Sequence, residues 1–171
     1  MRGRRVLVLG DVMLDEFVWG DVSRISPEAP VPVVRVTRQS FHVGGAGNVA
    51  AGVRALGGEA ALAGAVGRDD AGARVLAALD AAGVAPRLVE LPPGRPTTVK
   101  TRIVAHGQQV VRADREDASD VPRAVEEKLL EAFREELPRC QAVVVSDYQK
   151  GVVTARVLRR ALPLARRRGV S

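Results

Sequence analysis

Two segments place polar residues directly after an apolar stretch, at positions where a strand would end. They are Gly10–Asp15, with the sequence GDVMLD, and Ser146–Gly151, with the sequence SDYQKG. Ligands of open α/β sheets bind outside the carboxyl ends of the strands. The carboxylates of the first segment could accept hydrogen bonds from sugar hydroxyls. In the second, Asp147 could approach a metal or a transferring phosphoryl group, and Lys150 could neutralise charge. The alternative for both segments is a turn built on Asp and Gly.

A third segment, Gly44-Gly45-Ala46-Gly47-Asn48, is predicted to open a helix that continues to about Leu56. Glycines let backbone amides approach a ligand closely, and a helix N-terminus favours anions and oxygen acceptors. Asn48 adds a donor and an acceptor in the first turn. Two alternatives remain, which are helix packing and a dinucleotide site, because residues 45–50 fit G-x-G-x-x-A. That fingerprint should follow the first strand of a βαβ unit, whereas this segment follows a short strand flanked by proline.

A fourth segment, residues 97–102 with the sequence TTVKTR, predicts a basic strand face. Side chains alternate across a strand, so Lys100 and Arg102 share one face. Such a face can hold a phosphate, which Arg binds bidentately. Gln109 and Arg112 would come from the neighbouring strand. The alternative is an ordinary solvated strand face.

Other catalytic and metal-binding patterns are missing from the sequence. His42 and His106 lack metal-ligand spacing, and there is no serine elbow and no P-loop. The single cysteine, Cys140, excludes an internal disulfide and a cysteine zinc site, and its position before AVVVS predicts packing. We therefore predict no metal-binding residues.

Two kinds of element must position these segments. Apolar strands alternating with helices predict a parallel sheet covered by helices, and strands without intervening helices predict a smaller antiparallel sheet. The predicted strands are residues 4–9, 16–22, 33–37, 59–65, 87–91, 97–105, 108–113 and 142–146, the stretch 23–32 is a predicted loop, and the predicted helices are residues 44–56, 69–82, 121–137 and 154–168.

Composition limits the class of protein. The 171 residues predict one domain. The net charge of +6 comes from 26 basic residues, yet aromatic residues make up only 3%, so stacking platforms for nucleic acid are lacking and anionic small molecules fit the charge better. The apolar runs are far shorter than the ~20 residues of a membrane helix. Because Asp11 also interrupts any signal-like start, the sequence predicts a cytoplasmic protein without a membrane or nucleic-acid partner.

Taken together, the motifs resemble the ribokinase-like (PfkB) carbohydrate kinase family. Within it they are most similar to the branch that phosphorylates heptose 7-phosphate in bacterial ADP-heptose synthesis. The matching blocks are GDVMLDEFVWG at 10–20, SRISPEAPVPVV at 23–34, GGAGNVA at 44–50, TTVKTR at 97–102, GQQVVRAD at 107–114 and SDYQKG at 146–151.

This resemblance implies an α/β fold with a Rossmann-like parallel core sheet, flanking helices and a small antiparallel β-sheet lid. The whole chain, 1–171, would form one kinase domain that lacks its carboxyl-terminal half. The implied core comprises about 1–15, 43–96 and 114–171, and the implied lid comprises about 16–42 and 97–113.

The resemblance also implies roles for individual residues. The sugar would bind at Asp15, Gly44, Gly45 and Asn48. Arg24, in the 23–34 segment, would contact the sugar from the same subunit or from a partner. Lys100, Arg102 and Gln109 would surround the sugar phosphate. Asp147 would lie near the transfer site, and Lys150 would contact the nucleotide.

The implied activity is transfer of the γ-phosphate of ATP, with Mg²⁺, to O1 of D-glycero-β-D-manno-heptose 7-phosphate. The family's catalytic Asp lies in a Gly-Ala-Gly-Asp segment that this sequence lacks. We therefore expect the substrate-binding half of such a kinase, with doubtful ATP binding by this half alone and a homodimer formed through the lid. The alternative from another class is an inactive sugar-phosphate-binding or oligomerisation module.

Overall fold

The computed structural model describes residues 3–171, which form eight strands and four α-helices. The strands are β1 (Arg5–Gly10), β2 (Val12–Ile25), β3 (Pro32–Gly45), β4 (Glu59–Val66), β5 (Ala85–Glu90), β6 (Thr98–Ala105), β7 (Gln108–Arg115) and β8 (Ala142–Ser146). The helices are α1 (Ala46–Ala55), α2 (Asp70–Ala81), α3 (Arg123–Glu136) and α4 (Ala155–Arg167).

The core sheet is parallel, with the strand order β5-β4-β1-β8. Leu7 and Leu9 face one side, where they pack with residues of α3 and α4 such as Phe133. Val6 and Val8 face the other side, where they pack with residues of α1 and α2. Burial on both faces requires a nearly continuous apolar strand, and this confirms the prediction of a parallel sheet covered by helices. No helix within residues 3–171 is long and apolar enough to cross a membrane.

The second sheet, which we call the lid, has the strand order β3-β2-β6-β7. Its two hairpins are antiparallel, but β2 and β6 pair in parallel, from Met13 opposite Thr98 to Gly20 opposite Ala105. The lid is therefore a mixed sheet, in which the predicted antiparallel hairpins are joined by a parallel pair that the sequence did not predict. Both central strands run outward from the carboxyl edge of the core sheet, which makes them parallel.

The first lid hairpin is much longer than the sequence pattern predicted. β2 and β3 have 14 residues each, so the predicted loop over 23–32 shortens to residues 26–31. Two register shifts interrupt the pairing, at Trp19/Gly20 and at Val22/Arg24, and such bulges hide the alternation from a sequence-based prediction. At the other end, β3 includes Gly44 and Gly45, so α1 begins at Ala46 rather than at Gly44.

Cys140 packs in the core, as its position before an apolar strand predicted. The residue is 5% exposed, and its thiol donates to the carbonyl oxygen of Glu136 at 3.3 Å. Burial raises the pKa of this thiol. A buried thiol of raised pKa is an inert packing group rather than a nucleophile.

Candidate functional site

Asp11 joins the core sheet to the lid. It is the only residue between β1 and β2, so the chain passes from one sheet into the other without a turn. Its backbone N–H donates to the carbonyl of Ser146 at 3.1 Å, and its own carbonyl accepts from the N–H of Ala46 at 2.8 Å. The end of β8 and the start of α1 are thereby fixed to the same residue.

The Asp11 carboxylate is fully buried and holds the segment that follows β8. Its Oδ2 accepts from the N–H groups of Tyr148, at 2.7 Å, and Lys150, at 3.1 Å. Its Oδ1 accepts from the N–H of Val152 at 3.1 Å. Because Asp11 is fully buried, a sugar hydroxyl cannot reach it, and its role in this structure is to shape the 147–152 segment.

A polar site forms where β2, β3 and α1 meet. Asp15 Oδ1 accepts from Arg102 Nη1 at 2.6 Å, and the two side chains are each 23% exposed. A Cβ at Gly44 would lie 2.5 Å from Asp15 Oδ2, so only glycine leaves room for this carboxylate. Gly45, at φ +57°, turns the chain into α1, and Asn48 is exposed on the first helical turn. The structure thus brings together Asp15, Gly44, Gly45 and Arg102 of the predicted sugar and phosphate residues, and Asn48 follows three residues after Gly45.

Aromatic rings lie beside Asp15 on the same lid face, and the sequence analysis missed them. Phe17 stacks on Trp19 with ring centroids 5.9 Å apart and meets His42 edge-on at 5.8 Å. The guanidinium of Arg102 lies 5.2 Å from the Phe17 ring. Alternation from Asp15 along β2 could have revealed these rings, because positions 15, 17 and 19 point to one face. Apolar rings with a few polar groups are typical of small-molecule sites.

Lys100 lies on this face too, and its ammonium binds two carboxylates. Nζ lies 2.8 Å from Asp114 Oδ2 and 3.5 Å from Glu116 Oε2. Lys150 Nζ lies 2.8 Å from Glu116 Oε1, so the two lysines share one carboxylate. The hydrogen bond from Lys100 lowers the pKa of Asp114, and that from Lys150 lowers the pKa of Glu116. Neither acid was identified as part of the site from the sequence.

Two predicted residues lie away from this site in the same chain. Arg24 is nine residues from Asp15 along β2, which corresponds to about 30 Å of strand. Gln109 lies opposite Val104, four residues from Lys100 along β6, which is about 13 Å of strand. The structure therefore separates both side chains from the Asp15 site.

Asp147 lies in the segment after β8, three residues before Lys150. It is exposed, and its Oδ1 accepts from the N–H of Gln149 at 2.8 Å, while Gln149 has a φ of +58°. Among residues 3–171, no three His, Cys, Asp or Glu side chains form a group that could hold a metal ion. Asp147 is therefore an accessible, single carboxylate.

Sequence comparison matches residues 4–169 to the model of the pfkB family carbohydrate kinases. The chain is 48% identical to the bifunctional protein HldE of Bradyrhizobium diazoefficiens over 169 residues. It is 51% identical to the bifunctional protein HldE of Caulobacter vibrioides over 168 residues. Each alignment covers 98% of this chain and 34% of the relative, so the chain spans about a third of the curated relatives' length.

Structural comparison finds the same fold in solved sugar kinases. The tetrameric inhibited form of phosphofructokinase-2 from Escherichia coli matches with a TM-score of 0.72 and 22% identity, over 98% of this chain and 52% of that one. The microbiome-derived acarbose kinase Mak1 matches with a TM-score of 0.61 and 27% identity, over 85% of this chain and 46% of that one. The ribokinase-like fold predicted from the motifs is confirmed.

Proposed function

The chain belongs to the pfkB family of carbohydrate kinases, and we propose that it is the sugar-binding part of a heptose-phosphate kinase. The complete enzyme would transfer the γ-phosphate of ATP to O1 of D-glycero-β-D-manno-heptose 7-phosphate. The observation that carries this proposal is the meeting of Asp15, Gly44 and Arg102 where the lid leaves the core. The choice of a heptose phosphate rests on the SRISPEAPVPVV and SDYQKG segments and on the similarity to the two HldE proteins.

In this proposal the polar lid face binds the sugar. Asp15 would accept a hydrogen bond from a sugar hydroxyl, Asn48 would donate one, and Phe17 would cover an apolar patch of the ring. Lys100 would contact the 7-phosphate, and Arg102 would hold Asp15 in position. Such residues contribute to catalysis mainly by positioning, because phosphoryl transfer requires little covalent chemistry from the protein.

ATP and its Mg²⁺ ion would enter as substrates of the complete enzyme. Of the described residues, only Lys150 is proposed to contact the nucleotide, and its ammonium is bound by Glu116. The lone carboxylate of Asp147 does not make a magnesium site. The described residues would therefore recognise the sugar, and none of them is given a role in the metal-dependent step.

The sugar assignment predicts different effects for three alanine substitutions. Lys100→Ala should weaken binding of heptose 7-phosphate about tenfold or more, because a charge-assisted hydrogen bond contributes roughly 1.5–3 kcal/mol. The same change should leave binding of the unphosphorylated heptose almost unaltered. Arg102→Ala should weaken the binding of both sugars, because it frees Asp15. Asn48→Ala should weaken the binding of both sugars to the same extent. Isothermal calorimetry with the two sugars measures all three effects.

A matched control for this series is Arg159→Ala, an exposed basic residue of α4 that removes the same charge elsewhere. It should bind both sugars as the unchanged protein does. If Lys100→Ala kept the full preference for the phosphorylated sugar, the phosphate would have to bind elsewhere.

We further propose that the chain forms a homodimer through the lid face opposite the sugar. Strand pairing places Val18, Ile103 and Val111 side by side on that face, with Val34 and Val36 farther out. Val36 is 52% exposed and Val111 is 48% exposed, so the face presents apolar surface. A second copy is the occupant we favour, because Arg24 could then reach a sugar site that it cannot reach in its own chain. Phosphofructokinase-2 from Escherichia coli has a tetrameric inhibited form.

The double change Val36→Lys and Val111→Lys should therefore convert a dimer into a monomer. Burying two lysine ammonium groups in an apolar interface without partners is unfavourable, whereas both positions tolerate lysine in the monomer, where they are half exposed. Sedimentation velocity at tens of micromolar measures the change. Leu76→Lys, at a 42% exposed position on α2, is the control and should leave the dimer intact. A monomer before any substitution would refute the lid dimer.

A further inference from the structure

Two lysines from different sheets converge on one acidic side chain. Lys100 comes from β6 of the lid, and Lys150 comes from the segment that follows β8 of the core. Their ammonium groups lie 3.5 Å and 2.8 Å from the two carboxylate oxygens of Glu116. The side chains of Lys100 and Lys150 are only 12% and 18% exposed, so water solvates them little.

A carboxylate between two ammonium groups occupies a place that suits a larger anion. A phosphate group carries up to two negative charges and three oxygens, so it can accept hydrogen bonds from both lysines at once. We propose that Lys100 and Lys150 form a phosphate-binding site between lid and core, and that Glu116 occupies this site until a phosphate group displaces it. This inference rests on the proposed function for the identity of the phosphate compound, but its geometry is independent of it.

The neighbouring acid, Asp114, has a different part in the site. It is a residue of β7, directly opposite Lys100 in the strand pairing, and it also accepts from Arg112 Nε at 2.9 Å. These contacts hold Asp114 in place, where it orients the Lys100 ammonium. Glu116 lies just beyond the last residue of β7, so its side chain can leave the lysines without breaking the sheet.

The phosphate could belong to the sugar phosphate or to the nucleotide. Lys100 lies on the sugar-facing side of the lid, whereas Lys150 follows β8 beside Asp147. The chemistry required of the ligand, a phosphate group that bridges two ammonium ions, is the same in both cases. Separate binding measurements with heptose 7-phosphate and with ATP distinguish the two sources.

The test is the affinity of the whole chain for inorganic phosphate after Glu116→Gln. Removing the competing charge should tighten phosphate binding about fivefold or more, the size of a modest ion-pair contribution. Glu131→Gln on α3 makes the same charge change at an exposed position and should leave the affinity unchanged. Calorimetry, or phosphorus NMR titration, measures both variants.

A second variant tests whether the Lys150 ammonium group binds the phosphate. Lys150→Met in the Glu116→Gln background should remove the gain, because one of the two ammonium groups is lost. An affinity for phosphate that is equal in Glu116→Gln and Glu131→Gln, or no binding by either variant, overturns the inference. If Glu116→Gln tightens phosphate binding but heptose 7-phosphate binds no better than phosphate, the site stands and the heptose assignment fails.

Discussion

Replacing Asp11 with alanine is expected to destabilise the chain by about 4 kcal/mol and to release the 147–152 segment first. The substitution leaves three backbone N–H groups, those of Tyr148, Lys150 and Val152, without their acceptor. Each buried donor that loses its partner costs roughly 1–3 kcal/mol, and water will reach some of them in the loosened segment. Released from Asp11, the segment no longer places Asp147 and Lys150 beside the lid.

Urea unfolding measures the loss of stability, with the single tryptophan, Trp19, as the fluorescent probe. Amide hydrogen exchange locates the loss and should speed up at residues 148, 150 and 152 before it does so in the core strands. Asp11→Asn should have a free energy of unfolding between those of the unchanged protein and of Asp11→Ala, because its side-chain oxygen can still accept a hydrogen bond. Asp80→Ala, at an exposed position of α2, should change stability by about 0.5 kcal/mol or less. Unaltered exchange at the three amides in Asp11→Ala would contradict this role.

β1 was predictable because burial on both faces leaves little choice of residue, whereas β8 was found from its apolar run although Val144 is 36% exposed. Val6–Leu9 and Ala142–Val145 are uninterrupted apolar runs, and the strands β1 and β8 lie where those runs predicted. The outer part of the lid gave no comparable signal. Its long hairpin is half exposed, contains Ser and Pro, and shifts register twice, so neither composition nor alternation marked residues 23–25 as strand.

The roles of Asp11 and Glu116 could not be deduced from the sequence, because both depend on contacts between distant parts of the chain. Asp11 lies 137 residues before Tyr148, and only the pairing of β1 with β8 brings them together. Glu116 belongs to none of the matching motifs and becomes significant only because Lys100 and Lys150 meet beside it. Sequence patterns identified Lys100, Lys150 and the segment that contains Asp11, while their partners were decided by the way the two sheets join.

The second large effect is expected at Glu136, a buried carboxylate on the side of the core away from the sugar site. Its side chain is only 2% exposed and lies 3.0 Å from Arg5 Nη2 and 2.7 Å from Arg87 Nη2. These contacts tie the end of α3 to β1 and β5. Glu136→Gln should destabilise the chain by about 3 kcal/mol, near the lower end for a broken buried pair, because water still reaches both guanidinium groups. Glu135→Gln, the exposed neighbour on α3, is the matched control and should have little effect.

The contribution of Glu136 should also depend on pH in a defined direction. Desolvation by burial favours the neutral acid, but the hydrogen bonds from Arg5 and Arg87 outweigh it and hold the pKa of Glu136 below its usual 4.5. A depressed pKa in the folded state means that the stabilisation is complete above the unfolded-state pKa and is lost as the pH falls through the folded-state value. The free energies of unfolding of the unchanged protein and of Glu136→Gln should therefore differ most near pH 7 and begin to converge as the pH falls below the usual value of 4.5 towards the lower folded-state pKa. Urea unfolding across this range measures the difference, and a gap that stayed constant down to pH 3 would mean that the ionised carboxylate contributes nothing through its charge.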